Sequence, residues 1–381
     1  MTIAYLTPEY PHPRIGNSGG LGTSIKNLAE ALVGLGHRVC IIVSGRTTDF
    51  SFDEHGIRFY GIAHQRTPFF TWYTYRRYLN RRINALVETE QIDLIEAPDW
   101  TGLTAFMRFK VPLVIRFNGS DTYFCHLEQR PQKWKNRWFE RLALRGADAL
   151  VSVSAFTAQT TKALFNLQQQ IAVVPNGIKS AEFLPQSQAE QPHRLLYFGS
   201  IIRKKGVLEL AIMFNILVEL QPDVALVLAG KDVPDALTHQ STQALFLDLL
   251  SPEARTRVQF LGMLPYEAVQ QEIAQAAVVV LPSFAEALPM AWIEAMAMQK
   301  AVVASNIGWA SEVISHEQDG MLVDPKAHRP FAEVVVRLLQ QPELRKQLGL
   351  AARQKVLTHF DSAVVAQKNL EWYKTIITKL S

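Results

Sequence analysis

The fold is decided by residues 277–297, AVVVLPSFAEALPMAWIEAMA, in which an apolar run leads through a short loop into strong helix formers. The run at 277–281 is typical of a buried strand. Pro289 is expected at the first helical position, where its missing N–H is tolerated, and the residues after it have high helix propensity. The stretch therefore predicts a strand–loop–helix unit of an α/β protein.

Two glutamates flank the start of this predicted helix. Glu286 falls in the loop and Glu294 in the second turn. The helix start at Leu288, Pro289 and Met290 offers the free backbone amides of its non-proline residues, as far as Ala291, to an anion such as phosphate. A donor that carries a phosphate, a ribose and a sugar would use all three features. A glutamate near a helix start also favours the helix dipole, so a purely structural role is the alternative interpretation.

The stretch resembles the E-x7-E signature of the retaining glycosyltransferases of family 4. Pro-Ser precedes the first glutamate, Glu-Ala-Met-Ala ends the stretch, and the family's downstream pattern appears at 301–323. The resemblance implies that Glu294 binds the ribose hydroxyls of a sugar nucleotide and that Glu286 lies beside the transferred sugar. It also implies the GT-B fold, with two Rossmann-like, doubly wound parallel-sheet domains that face an interdomain cleft.

Apolar runs that alternate with helical patterns predict two series of parallel strands. The first series comprises Thr2–Leu6, Val39–Val43, Ile92–Ile95, Leu113–Arg116, Ala149–Ser152 and Ile171–Val174. The second comprises Leu195–Phe198, Ala225–Leu228, Val258–Leu261, Val278–Leu281, Val302–Val303 and Met321–Val323.

The predicted domains follow from these two series. We expect an acceptor-side domain at 1–180, an aperiodic linker at 181–193 and a nucleotide-sugar-binding domain at 194–360. The helical pattern at 361–381 would, in the GT-B architecture, pack back on the first domain.

A glycine-rich loop follows the first predicted strand and precedes a helix expected near Thr23. Its glycines, among them Gly20 and Gly22, allow close approach of the backbone to a ligand, at the edge where open α/β sheets bind ligands. A flexible loop without a ligand is the alternative. The loop resembles the family's Gly-Gly loop, and residues 36–39, Gly-His-Arg-Val, resemble the element that closes the following helix. The resemblance implies that Gly20 and Gly22 lie near the diphosphate.

Three cations, Arg203, Lys204 and Lys205, follow the first strand of the second series. Cations at this position can neutralise the charge that develops on a departing diphosphate, although a solvated basic turn is the alternative. Lys205 and Gly206 match the family pattern Gly-Arg-x-x-x-x-Lys-Gly, whereas Ser200 stands where the family has its arginine. We therefore expect Lys205 to contact the phosphates, with Arg203 as a hypothetical substitute for the missing guanidinium.

The acceptor side is represented by Asn118, which follows strand 113–117 where relatives often carry a histidine. An asparagine can hydrogen-bond a sugar hydroxyl but cannot act as a general base. The front-side mechanism implied by the resemblance lets the departing phosphate oxygen take the acceptor proton. Turn chemistry explains the sequence Asn-Gly-Ser-Asp almost as well.

Composition places the chain among soluble enzymes. With 381 residues, 48% of them hydrophobic, and a net charge of +4, the chain predicts two domains. No apolar run reaches membrane-spanning length and no signal peptide is visible, so a cytoplasmic location is expected. Cys40 and Cys125 predict reduced thiols and exclude a cysteine-based zinc cluster. No Asp-x-Asp element occurs at a predicted donor loop, so no metal and no cofactor are expected.

Two stretches, 69–82 and 133–141, combine aromatic residues with cations, and no acidic residue occurs from 55 to 87. Such helices can lie on anionic lipid headgroups, which predicts a peripheral membrane contact through Arg76, Arg77, Arg81 and Arg82. The alternative is that Trp72, Leu79 and Ile83 pack into the domain with the arginines in water. Nucleic acid is not expected, because no recognition motif accompanies the charge.

The residues and the resemblance together predict a metal-independent, retaining glycosyltransferase. Its expected donor is a UDP- or GDP-sugar, and its acceptor a saccharide, a glycolipid or another small molecule, in polysaccharide, lipopolysaccharide or natural-product assembly. Two alternatives remain open: another GT-B enzyme such as a sugar-nucleotide epimerase, and a two-domain sugar-binding module without chemistry.

Overall fold

The computed structural model describes residues 1–186 and 190–380 and divides the chain into two compact units. The first comprises Met1–Lys179 and Phe360–Ser381, and the second comprises Ser180–His359. Residues 187–189 of the predicted linker, and Ser381 at the end of the predicted C-terminal helix, lie outside the described residues. None of the described helices combines the length and the apolarity needed to cross a membrane.

The first unit is built on an eight-stranded sheet with the order β3-β4-β2-β1-β5-β6-β7-β8. Its strands are β1 (Thr2–Thr7), β2 (Arg38–Arg46), β3 (Phe50–Glu54), β4 (Ile57–Ala63), β5 (Leu94–Pro98), β6 (Leu113–Phe117), β7 (Ala149–Ser152) and β8 (Ile171–Val173). Before the second unit, its helices are α1 (Gly20–Gly34), α2 (Thr71–Thr89), α3 (Asp121–Leu127), α4 (Trp134–Arg145) and α5 (Ala155–Phe165).

The hairpin β3–β4 corrects the prediction of a wholly parallel first sheet. Its two strands are antiparallel and are joined at His55 and Gly56, which both have positive φ. A two-residue turn of this kind matches the twist of a hairpin and favours glycine. The turn and the alternation of Phe50 and Phe52 with polar residues were the signals that sequence reasoning missed.

The second unit is built on a six-stranded parallel sheet with the order β11-β10-β9-β12-β13-β14. Its strands are β9 (Arg194–Phe198), β10 (Ala225–Ala229), β11 (Val258–Gly262), β12 (Val278–Leu281), β13 (Ala301–Ser305) and β14 (Met321–Val323). Its helices are α6 (Val207–Leu220), α7 (Thr242–Asp248), α8 (Pro252–Arg255), α9 (Tyr266–Gln275), α10 (Met290–Ala297), α11 (Ala310–Val313), α12 (His328–Gln340) and α13 (Pro342–Lys355).

Strand order reverses once in each sheet, between β1 and β5 in the first and between β9 and β12 in the second. Connections on the two sides of such a point run in opposite directions and leave a crevice at the carboxyl ends of the strands. The prediction of two doubly wound α/β domains is therefore confirmed, and each sheet has one preferred place for a ligand.

The C-terminal helix α14 (Ser362–Leu380) packs on the first sheet through a buried polar network. Arg116 on β6 and Glu96 on β5 form a buried ion pair, with Nε and Oε1 2.6 Å apart. From α14, Tyr373 donates to Glu96 over 2.6 Å and Asn369 accepts from Arg116. Both charges are thus paired and hydrogen-bonded, as groups buried away from water must be.

Candidate functional site

The basic turn after β9 is held against the loop after β12 by its backbone. The amide of Phe284 donates to the carbonyl of Lys204 over 2.8 Å, across the reversal in strand order. Gly206 ends the turn with φ +70°, and a Cβ there would lie 1.9 Å from the carbonyl oxygen of Pro282. Only glycine allows the two loops to approach this closely.

The side chains of Lys205 and Glu286 meet where these two loops touch. Lys205 Nζ lies 3.3 Å from Glu286 Oε1, and Ser283 donates to the same oxygen over 3.0 Å. Both charged side chains are partly exposed, at 23% and 14%, so the pair is accessible to a ligand. The structure therefore places an ammonium and a carboxylate, each predicted as a site residue, side by side.

Glu294 lies in the helix that follows, with its carboxyl group buried. Burial raises the pKa of this carboxyl to about 7, although a hydrogen bond from Tyr266 and the charge of Lys205 both lower it. The Tyr266 hydroxyl donates to Oε1 over 3.4 Å. A buried carboxylate with so weak a set of donors is poised to accept hydrogen bonds from a ligand.

The start of α10 differs by one residue from its prediction. The helix begins at Met290, and Pro289 occupies the capping position before it. The backbone amides of Leu288, Met290 and Ala291 have no acceptor within residues 1–186 and 190–380. These amides leave an anion site at a helix start, beside Lys205 and Glu286.

Arg203 is directed away from Lys205 by a strong partner. Its guanidinium forms two hydrogen bonds, of 2.7 and 3.0 Å, with the carboxylate of Asp235. Those bonds hold the pKa of the fully buried Asp235 carboxyl well below its usual range. In the structure Arg203 therefore anchors the segment after β10. Its guanidinium does not replace the family's arginine, whose position is occupied here by Ser200.

In the first unit the glycine-rich loop is held by a carboxylate of the chain itself. Helix α1 begins at Gly20, earlier than Thr23, and Glu9 Oε1 accepts from the amides of Gly19 and Gly22, each over 3.1 Å. A Cβ at Gly22 would lie 2.5 Å from Ser18 Oγ, which explains the need for glycine there. Gly20 is exposed, with nothing within 4 Å of the place where a Cβ would stand.

Asn118 lies at the carboxyl edge of the same sheet, next to a buried aspartate. Asp99 Oδ1 accepts from the amide of Asn118 over 3.1 Å, and Asn176 donates to Asn118 Oδ1 over 3.2 Å. Burial raises the pKa of the Asp99 carboxyl to about 8, so this group is largely neutral at pH 7. The neutral carboxyl and the two amides form a hydrogen-bonding edge rather than a proton acceptor.

The second unit thus brings together Lys205, Glu286 and Glu294 with the amides of α10, whereas Gly20, Gly22 and Asn118 lie at the edge of the first sheet. Sequence reasoning missed Glu9, Asp99, Asp235 and Tyr266. The first two follow strands β1 and β5 by one or two residues, which was a usable signal. Asp235 and Tyr266 stand in no motif. Within the described residues, no cluster of three His, Cys, Asp or Glu side chains is arranged to hold a metal ion.

Comparison with known proteins identifies the class to which this arrangement belongs. The model of Glycosyltransferase Family 4 matches residues 18–182, and that of Glycosyl transferases group 1 matches residues 180–355. The alpha-maltose-1-phosphate synthase of Mycolicibacterium smegmatis is 27% identical over 99% of this chain and 100% of that protein.

Solved structures share the fold at lower identity. The sucrose-phosphate synthase of Thermosynechococcus elongatus has a TM-score of 0.82 and 19% identity, over 99% of both chains. HepE of Anabaena, solved in complex with UDP-glucose, has a TM-score of 0.75 and 18% identity over 98% of this chain and 100% of its own. The two family models together cover residues 18–355, and the chain therefore belongs to the family 4 type of glycosyltransferases, with the GT-B fold.

Proposed function

We propose that the chain is a retaining, metal-independent glycosyltransferase that moves a sugar from a nucleotide sugar to a hydroxyl of its acceptor. The single observation that carries this proposal is the group formed by Lys205, Glu286 and Glu294 beside the free amides of α10. One cation, one helix start and two carboxylates correspond to the diphosphate, the sugar and the ribose of such a donor.

The leaving group is the first requirement of the reaction. When the bond between the anomeric carbon and the phosphate oxygen breaks, that oxygen gains negative charge. Lys205 Nζ and the amides of Leu288, Met290 and Ala291 are the groups that stabilise this charge, because they are in place before the bond breaks. Stabilisation by fixed side chains and amides is why we propose that the reaction needs no divalent metal.

The carboxylates hold the rest of the donor. Glu294 accepts hydrogen bonds from the ribose hydroxyls, in its ionised form, and Glu286 lies beside the transferred sugar while orienting Lys205. Retention follows if the acceptor hydroxyl attacks from the face that the phosphate leaves and passes its proton to the departing phosphate oxygen. Asn118, which cannot take a proton, then serves only to hydrogen-bond a sugar hydroxyl.

The donor proposed is a UDP-sugar, with a GDP-sugar as second choice, since HepE was solved with UDP-glucose. The acceptor is a saccharide or sugar phosphate, as the name of the mycobacterial synthase suggests, or a lipid-linked sugar or another small molecule. Polysaccharide assembly fits these acceptors, and lipopolysaccharide assembly fits the lipid-linked one. Cys40 and Cys125 are free and buried, which is consistent with the cytoplasmic location that we propose.

The first test is a thermal-shift screen with UDP-, GDP-, ADP- and dTDP-sugars. A ligand that binds only the native state raises the apparent melting temperature, so one nucleotide should stand out. Release of the nucleoside diphosphate is then measured with sugar acceptors, in the presence and absence of EDTA.

Each outcome has a defined meaning. Diphosphate release that depends on an acceptor and survives EDTA supports the proposal. Strict restoration by Mg²⁺ or Mn²⁺ contradicts metal independence. Turnover of the donor to a different sugar without an acceptor indicates an epimerase, and binding without release of diphosphate indicates a non-catalytic module.

A further inference from the structure

The first unit exposes a group of aromatic side chains where the start of α2 meets the start of α4. We call it the aromatic face, and it consists of Phe69, Phe70, Trp72, Tyr73, Trp134 and Trp138. Phe69, Phe70 and Trp134 are 79%, 69% and 70% exposed, which is far above what an aromatic ring in a folded domain normally retains.

The aromatic face is one continuous surface, formed by both helices. The ring of Trp72 lies 6.2 Å from that of Phe70 and 5.8 Å from that of Trp138, and Trp138 lies 6.4 Å from Trp134. Beneath it Leu79 and Ile83 are fully buried, as the structural interpretation of α2 requires. Trp72 differs from that interpretation, because more than a third of it remains exposed. A contiguous exposed apolar patch of this kind marks an interaction site.

Exposed cations lie on the two helices that form the aromatic face and in the segments that precede them, and these cations are not neutralised. Within residues 1–186 and 190–380, no carboxylate forms an ion pair with a group of exposed cations on α2, on α4 or just before them: Arg66, Arg77, Arg81, Lys133, Lys135 and Arg141. Lys135 Nζ lies 5.8 Å above the ring centre of Trp134. The charge beside the aromatic rings is therefore available to an anionic partner.

Two of the four arginines predicted for the membrane contact are engaged by other groups of the protein. Arg76 stacks on Phe139 at 4.2 Å and donates to the carbonyls of Trp72 and Gly102, so it supports the face from within. Arg82 pairs with Asp49. Of the four arginines predicted for this patch, Arg77 and Arg81 are exposed and have no ion-pair partner within the described residues, so they can bind an anionic partner.

Acidic groups are absent from residues 55–87, and the single acidic residue of α4 is hidden. The sequence has none from 55 to 87, and Glu140 of α4 is buried, with its carboxylate accepting from the amides of Asp121 and Thr122. Exposed aromatic rings with unpaired cations on the same helices complement a surface that is apolar within and negative at its boundary.

We propose that the aromatic face docks the protein on the headgroup region of an anionic lipid bilayer. Trp and Tyr rings favour that region because one end of each ring is apolar and the other polar. The cations then meet lipid phosphates. A neutral polysaccharide would stack on the rings without needing the cations, and so explains only half of the surface.

The position of the face has a consequence that rests on the proposed glycosyltransferase function. Helix α2 follows β4, and Asn118 follows β6, so both lie at the carboxyl edge of the first sheet. An acceptor carried on a lipid would reach that edge from the bilayer. Docking thus favours the lipid-linked class among the proposed acceptors.

The test is sedimentation of the full chain with vesicles of phosphatidylcholine, with and without phosphatidylglycerol, at low and high salt. We expect binding to the anionic vesicles only, weakened by salt, with a blue shift of the tryptophan fluorescence. Arg77→Gln and Lys135→Gln should each weaken partitioning about fivefold. Phe69→Ala and Trp134→Ala, which remove highly exposed rings, should weaken it without changing the melting temperature.

Matched controls come from the second unit, where Arg255→Gln removes an exposed cation and Leu350→Ala removes an exposed apolar side chain. Both should bind vesicles as the unmodified chain does. The proposal is overturned if anionic vesicles do not bind, or if the face variants bind as well as the controls. Salt-insensitive retention on a neutral glucan without vesicle binding would assign the face to carbohydrate instead. Because the readout is binding, these results stand whether or not glycosyl transfer is detected.

Discussion

Helices α1 and α10 each start after a strand at the reversal point of a sheet, and they differ in whether their first backbone amides already have an acceptor. At α10 the amides of Leu288 and Met290 have no acceptor among the described residues. At α1 the amides of Gly19 and Gly22 already bind the carboxylate of Glu9. An incoming diphosphate gains hydrogen bonds at α10 but must compete with a fixed negative charge at α1. We therefore expect the second unit to supply most of the affinity for the donor.

The largest effect is expected from Gly206→Ala, which forces a Cβ into the carbonyl of Pro282 and costs about 1–2 kcal/mol for the left-handed backbone alone. The basic turn must then move away from Glu286. We expect a lower melting temperature and a fall in kcat/KM of at least about a hundredfold. Gly262→Ala is the matched control, because Gly262 has φ +68° with nothing within 4 Å. Equal losses in both variants would mean that strain, and not the contact between loops, is responsible.

Lys205→Ala should lower kcat by about 10²–10³, the usual effect of removing one group that stabilises developing negative charge. Its stability should change little, because the ammonium is partly exposed. Lys204→Ala controls for charge in the same turn, since Lys204 contacts the neighbouring loop through its backbone carbonyl. A fully active Lys205→Ala protein would remove this side chain from the mechanism.

Arg203→Ala separates anchoring from catalysis. Removal of the guanidinium leaves the buried Asp235 carboxylate without its main partner, so the free energy of unfolding should fall by about 1–3 kcal/mol. Thermal or denaturant unfolding measures this loss, and activity assayed well below the melting temperature should remain close to that of the unmodified chain. A large fall in kcat at unchanged stability would instead restore Arg203 as a substitute for the family's arginine.

The affinity for UDP should increase with pH through the titration of Glu294. Without a ligand, the Glu294 carboxyl has a pKa of about 7, and we expect the ribose hydroxyls to bind its ionised form. Below this pKa the proton must be released on binding, so affinity should rise about tenfold between pH 6 and pH 8. Calorimetric titration with UDP at several pH values measures this change in affinity. Glu294→Gln cannot ionise and supplies the control for titration of the diphosphate, and identical pH profiles would exclude Glu294 from the ribose site.

A smaller change is expected from Glu9→Gln. The amide oxygen still accepts from Gly19 and Gly22, but the negative charge at the start of α1 is lost. If the diphosphate approaches this loop, its affinity should increase about two- to fivefold. Titration with UDP at low ionic strength measures the change, with uridine as the ligand that lacks the charge. An increase that is equal for both ligands would assign the effect to loop geometry rather than to electrostatics.

Much of the fold could be predicted from the pattern along the chain. All six strands of the second sheet and six of the eight in the first coincide with predicted apolar runs. Central strands such as β12 and β13 are buried on both faces and must be apolar throughout, and the partly exposed edge strands β8 and β11 still carry short, mainly apolar runs. The hairpin β3–β4 was missed because one face of β3 is exposed, so that its apolar residues alternate with polar ones. The prediction of α1 near Thr23 was late because glycines at 20 and 22 concealed its start.

The site was predictable where charged residues belong to a contiguous motif. Glu286, Glu294 and Lys205 were found in this way, and the structure brings them together. The sequence could not show that Arg203 anchors a neighbouring segment, because its partner Asp235 lies 32 residues further along and only the fold brings the two together.

By itself, the sequence determined the two α/β sheets and the residues that stand at their carboxyl edges, since burial requires apolar strands and loops follow them in a set order. The tertiary structure alone decided which of those side chains are engaged by the protein itself and which stay accessible to a ligand. Glu9 binds the amides of α1, and Arg203 binds the carboxylate of Asp235. Lys205, although paired with Glu286, stays partly exposed, and the only side-chain donor to Glu294 among the described residues is the distant hydroxyl of Tyr266. The physical reason is that pairing and desolvation depend on distances between segments far apart in the chain, which no local pattern records.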